Sequence, residues 1–91
     1  MTDAIAEIGI DDMGRLFVRP AQQTFPHIYR TASEVHWDAA RGYLYAPAAL
    51  KGWTRQQWYS HIIDVVRLEA YCMLEVTAAT RFINLEEGFG S

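Results

Sequence analysis

From Trp53 to Met73 the apolar positions recur with the spacing of one helical face. Advancing about 100° per residue, Trp58, Tyr59, Ile62, Ile63, Val65, Val66, Ala70, Cys72 and Met73 fall within half of the circumference, and Glu69 falls among them. Arg55, Ser60, Asp64 and Arg67 occupy the other half, as the solvated side of an amphipathic helix should. Leu68 and Tyr71 share that polar side, which marks them for a second contact such as a partner subunit. Thr54 and Gln57 have the spacing of a capping box, and Trp53 and Trp58 that of a hydrophobic staple. A stripe this broad suits packing across a sheet.

Elsewhere the period shortens to two. Residues 4–10 and 15–19 read as strands joined by the turn Asp11-Asp12-Met13-Gly14. Ala6, Ile8 and Ile10 share one face of the first strand, while Leu16 and Val18 alternate with Arg15, Phe17 and Arg19 on the second. Phe17 thus lies between two arginines on the outer face. Residues 20–26, bracketed by Pro20 and Pro26, form a connection. Residues 27–37 read as a strand with imperfect alternation, which a bulge near residues 31–33 would reconcile. The loop 38–42 leads into a short strand at 43–46, with Trp37 and Tyr43 expected to pair across it. After the helix, residues 77–85 read as a last strand, although LEVTAAT also fits a longer helix. The order is β-β-β-β-α-β: an α+β fold in which a four- or five-stranded antiparallel sheet packs on one amphipathic helix.

The 91 residues make one small α+β domain, and a hydrophobic share of 51% argues against disorder. Eight basic residues and a net charge of -3 exclude a general nucleic-acid binder and disfavour an anionic substrate. Cys72, the only cysteine, has no intramolecular disulfide partner and reads as a small core residue. The first residues have neither the basic region nor the apolar run of a signal peptide, and no stretch reaches the length of a membrane span. The expected location is the cytoplasm, with no membrane and no nucleic-acid partner.

Laid end to end, the blocks GIDDMGRLFVRP, FPHIYRTASEVHWD, YLYAP and GWTRQQW resemble small bacterial proteins carried on integron gene cassettes. The resemblance runs over residues 8–62 and contains no catalytic motif. It implies an accessory, mobile bacterial gene, a compact α+β fold and an oligomer, and it assigns no activity or functional residue.

Chemistry therefore rests on scattered polar residues. Glu69 within the apolar stripe must find a partner, reach water or hold its proton. Its functional reading is a general acid or base assisted by His61 or His36 in a helix–sheet cleft; its structural reading is an ion pair with a sheet arginine such as Arg30 or Arg81, or a place at the helix end from which the carboxylate reaches water. His61 and Asp64 are spaced as a base and its orienting carboxylate, without a nucleophile to complete a set. Asp11-Asp12-Met13-Gly14 ends like a calcium loop but lacks its spacing and closing glutamate, so it reads as an acidic hairpin tip in water. No histidine or cysteine spacing indicates a metal, and no cofactor is expected.

Twelve aromatic residues are the richer signal. Tyr29, Trp37, Tyr43 and Tyr45 belong to the second hairpin and fit a ligand cleft, a core or an interface equally. The leading expectation is a non-enzymatic binding or interaction module that forms a homodimer through aromatic and apolar surface, Leu68 and Tyr71 included, or meets a protein or small-molecule partner. The alternative is a small enzyme using Glu69 with a nearby histidine.

Overall fold

Alternating apolar residues set the path of the chain in the computed structural model, which describes residues 1–26, 28, 35–46 and 54–84. Strand β1 (Thr2–Ile10) and β2 (Leu16–Pro20) form an antiparallel hairpin. Gly14 closes its turn at φ 79, a left-handed conformation that glycine adopts without steric penalty. Strands β3 (His36–Asp38) and β4 (Tyr43–Ala46) form the second hairpin, and β4 joins β2 antiparallel.

Helix α1 (Arg55–Ala70) starts as its sequence predicts. The Gln57 N–H donates to Thr54 Oγ1 at 3.1 Å, and the Thr54 N–H donates to Gln57 Oε1 at 2.8 Å. Trp53, and with it the staple, lies outside the described residues. The helix ends three residues before the predicted limit, because Tyr71 turns left-handed at φ 55 and directs Cys72 into the core. The chain then forms β5 (Met73–Glu75) and β6 (Arg81–Ile83).

Both of these strands run parallel to β1, so the sheet is mixed rather than wholly antiparallel. The reason is the crossover: α1 carries the chain back over β2 and β1, so β5 resumes the direction of β4, which is also that of β1. The sheet order is β3-β4-β2-β1-β5, with β6 paired to the same edge of β1 farther along. Among the described residues the predicted last strand over 77–85 is thus confined to β6, and β5 forms over Met73–Glu75, where the alternative reading had a longer helix.

Beneath α1, Ile62 and Val66 pack with Ile8, Val18 and Leu44 in one fully enclosed core that also takes in Trp58, Cys72 and Leu74. A register shift between Ile5 and Glu7 inserts one extra residue into β1 opposite β2. This bulge corrects the expected face: Ile5, not Ala6, joins Ile8 in the core. The bulge predicted near residues 31–33 lies outside the described residues, as does most of the strand predicted over 27–37. Trp37 stands opposite Leu44, and Asp38 stands opposite Tyr43. Trp37 and Tyr43 therefore point to opposite faces and do not pair.

Opposite the β1 bulge the edge strand also departs from the ladder. The nine residues from Met73 to Arg81 span the six from Thr2 to Glu7. The buried Thr80 hydroxyl bridges the gap, donating to the Ile5 carbonyl at 2.7 Å and accepting the Thr77 N–H at 2.8 Å. Farther along, Gly9 faces Ile83, and a Cβ at Gly9 would meet the Ile83 carbonyl oxygen and lie 2.7 Å from its Cβ.

Two outcomes follow from these contacts. Thr80→Val strands a buried carbonyl and an N–H, and urea unfolding should show a loss of about 1–3 kcal/mol that Thr80→Ser largely restores. Gly9→Ala forces β6 away from β1 and should destabilise by about 1–3 kcal/mol in the same measurement.

Candidate functional site

On the sheet face away from α1, charge and aromatic rings replace the aliphatic core. The tips of the two hairpins meet there, and Asp11 is the hub. Its Oδ1 accepts the N–H groups of Met13 at 3.0 Å and Arg15 at 2.9 Å, which closes the β1–β2 turn. Its Oδ2 accepts Arg15 Nε at 2.9 Å and the Tyr43 hydroxyl at 2.7 Å, which ties that turn to β4. Arg15 also reaches Asp38 Oδ2 at 3.2 Å, and Arg41 Nη1 donates to Asp12 Oδ1 at 2.7 Å and to the Tyr43 hydroxyl at 3.1 Å. Asp12 lies in water, as a hairpin tip should, but the Asp11 side chain is only 5% exposed, which corrects the expectation for the turn as a whole.

Rings fill the space behind these charges. Phe17 stacks on Tyr43 with centroids 4.4 Å apart, and both are buried although they lie on the outer face. Tyr45 is held between the His36 ring, 5.4 Å away, and the Arg15 guanidinium, 3.9 Å from its centroid. Trp37 packs on the other face, edge-on to Phe25 at 6.0 Å. The predicted cleft lined jointly by Trp37, Tyr43 and Tyr45 is therefore not assembled, and Tyr29 lies outside the described residues. A shallow cleft of about 490 Å³ does open beside Tyr43, between Arg19, Arg41, Ile10 and Ile83.

The three residues predicted as catalytic are dispersed. Glu69 is exposed, which corrects its expected burial: the last turn of α1 leaves that part of the stripe uncovered. His61 lies eight residues earlier on the helix, edge-on to Trp58, in a shallow hollow of about 380 Å³ with Gln56, Gln57, Ser60 and Asp64. His36 lies across the sheet, stacked on Tyr45. Among the described residues no three His, Cys, Asp or Glu side chains converge as a metal site requires. Cys72 is fully buried, and burial, reinforced by Asp3, pushes its thiol up and away from the reactive thiolate.

Leu68 and Tyr71 are exposed as the helical wheel places them, at 63% and 81%. Met73 of β5 and Val76 just after it are exposed as well. The hub of Asp11, Arg15, Asp38 and Arg41 was not singled out from the sequence. Its signal was present in DDMGR and DAARG, two turns that each open on aspartate and carry an arginine beside glycine.

Burial opposes ionisation of Asp11, but hydrogen bonds from Tyr43, from the Arg15 N–H and guanidinium and from Met13 outweigh it, and the carboxyl is lowered from 3.8 to about 2. Burial likewise raises the Tyr43 hydroxyl, which remains a donor. A carboxyl lowered in the folded state stabilises above its unfolded value and loses that contribution as pH falls through its folded value. The melting temperature of Asp11→Asn should therefore fall below that of the wild type at neutral pH, and the gap should close between about pH 4 and 2. A gap that is constant across that range contradicts the assigned role.

A search of the curated proteins gave no match. A solved structure, of the integron cassette protein Hfx_Cass5 from the mobile metagenome of the North West Arm sewage outfall, is similar to this chain at 34% identity. The alignment covers 91% of this chain and 82% of that one, with a TM-score of 0.47. The family profile described as integron cassette protein Hfx_Cass5 matches residues 3–80, from β1 to the threonine that precedes β6. The resemblance carried by the sequence blocks is thus confirmed over most of the chain, and the protein belongs to the Hfx_Cass5 family of integron cassette proteins.

Proposed function

We propose that this protein is a non-enzymatic interaction module that assembles as a homodimer through Leu68, Tyr71, Met73 and Val76 beside the edge strand β5. The observation that carries this reading is Tyr71. It caps α1 in the left-handed region, at φ 55 and ψ 35, where a bulky side chain costs about 1–2 kcal/mol and glycine costs little. Its ring is nonetheless 81% exposed and gains almost nothing from the fold around it. Strain retained at an exposed aromatic residue is explained by a contact outside the monomer.

The surroundings support a second copy as that contact. Among the described residues β5 pairs only with β1, leaving its other edge open beside the apolar residues. A twofold axis across such an edge brings identical strands and apolar patches together, which is the commonest arrangement of soluble homo-oligomers. The charged groups on the opposite face support binding over catalysis, because Asp11, Arg15, Asp38 and Arg41 are engaged with one another. No helix among the described residues is long and apolar enough to cross a membrane, and the single buried thiol suits a reducing cytoplasm.

Light scattering of the full chain should give the mass of a dimer, and Tyr71→Gly and Leu68→Lys should each give a monomer. Tyr71→Gly relaxes the cap, so its monomer should resist urea at least as well as the wild type, by up to about 1 kcal/mol. A wild type that remains monomeric at the highest attainable concentration overturns the proposal.

A further inference from the structure

In the cross-strand row centred on Glu7, one carboxylate faces two guanidiniums. Arg19 of β2 stands directly opposite Glu7 on one side, and Arg81 of β6 stands opposite on the other. Arg19 Nε lies 3.0 Å from Glu7 Oε1 but makes no hydrogen bond, and Arg81 Nη1 lies 3.8 Å from Oε2, too far for one. The row therefore carries one positive charge in excess and a set of guanidinium donors that Glu7 does not saturate. Arg19 is 40% exposed and Arg81 76% exposed, so part of each guanidinium reaches solvent although Arg19 Nε is itself buried.

The same three side chains form one end of a cleft of about 410 Å³ over the β1 bulge. Its remaining walls are mostly apolar: Ala4, Ile5 and Ala6 of β1, Ala21 just after β2, and Ala79, with Thr77, from the turn that Thr80 anchors. The small side chains keep the cleft open, and its volume falls within the range of about 300–1,000 Å³ typical of small-ligand sites. The overall charge of -3 does not govern this spot, because exposed charges beyond about 10 Å are largely screened at ordinary salt.

We propose that this cleft binds a small aliphatic monocarboxylate. The carboxylate bridges Arg19 and Arg81 on the solvent side of Glu7 and accepts the donors that Glu7 leaves unused, so that two cations alternate with two anions around the site. The hydrocarbon chain lies along Ala6, Ala21 and Ala79. A single negative charge matches the single excess positive charge, and the alanines offer the ligand's chain apolar contact, while the Thr77 hydroxyl oxygen already accepts the Ala79 N–H. The site is separate from the surface assigned to dimer formation and does not depend on it.

Hexanoate is a suitable probe, with hexanol as its uncharged counterpart, titrated into the isotope-labelled full chain and followed by amide chemical shifts. Hexanoate should shift saturably the amides of Ala6, Glu7, Ala21 and Ala79, and hexanol should not. Arg81→Gln removes an exposed side chain and should weaken hexanoate binding about tenfold with unchanged melting. Ala79→Leu fills the cleft from an exposed turn and should abolish the shifts. Absence of saturable shifts in the wild type, equal response to both probes, or undiminished binding by a folded Arg81→Gln or Ala79→Leu variant overturns the proposal.

Discussion

Strand β1 has two edges to satisfy, and the rest of the structure follows from how that is done. Its first edge is filled by β2 through a tight turn. Its second must be filled by a chain segment that has travelled through β3, β4 and α1, because backbone N–H and C=O groups buried in a sheet require partners. The helix supplies that segment by carrying the chain from β4 to β5, with its apolar stripe packed into the core beneath it. The parallel sense of β5 and β6 is a consequence of this route. So is the gap between them, where the bulge in β1 and the hydroxyl of Thr80 accommodate each other.

The two faces of the sheet then differ in kind. Toward α1 the alternation delivers Ile8, Leu16, Val18 and Leu44 to an aliphatic core. Away from it the same strands deliver Arg15, Phe17, Arg19, Tyr43 and Tyr45, which form a layer of stacked rings and guanidiniums. Asp11 locks this layer by joining the hairpin tips, and the hydrogen bonds that hold it ionised to about pH 2 also commit it to structure. The two surfaces proposed for interaction, the apolar residues beside β5 and the cleft at Glu7, lie away from that hub. Both lie along the edge that the crossover builds.

Local signals were legible in the sequence where their physics is local. Thr54 and Gln57 satisfy each other within one turn, so the start of α1 needed no tertiary information. The same holds for the first hairpin, whose turn residues lie between two alternating runs. The other end of the helix was not legible, because Tyr71 carries no mark of a left-handed cap; glycine or asparagine would have marked it. Glu69 was placed correctly on its stripe, yet a stripe is buried only where something lies beneath it. The ion-pair hub was missed because its members lie up to about thirty positions apart, and only the pairing of β2 with β4 brings their turns together.

The sequence by itself determined the class of the fold, the helix and its start, the hairpin β1–β2, and membership of an integron cassette family through blocks of residues spread along the chain. These rest on periodicity, caps and turns, whose energies are set within a few residues. Tertiary structure decided the direction of the last strands, the exposure of Glu69, the separation of Trp37 from Tyr43, and the gathering of Glu7, Arg19 and Arg81 into one row. Those outcomes depend on register and crossover, which fix side chains in space only once distant strands are hydrogen-bonded side by side.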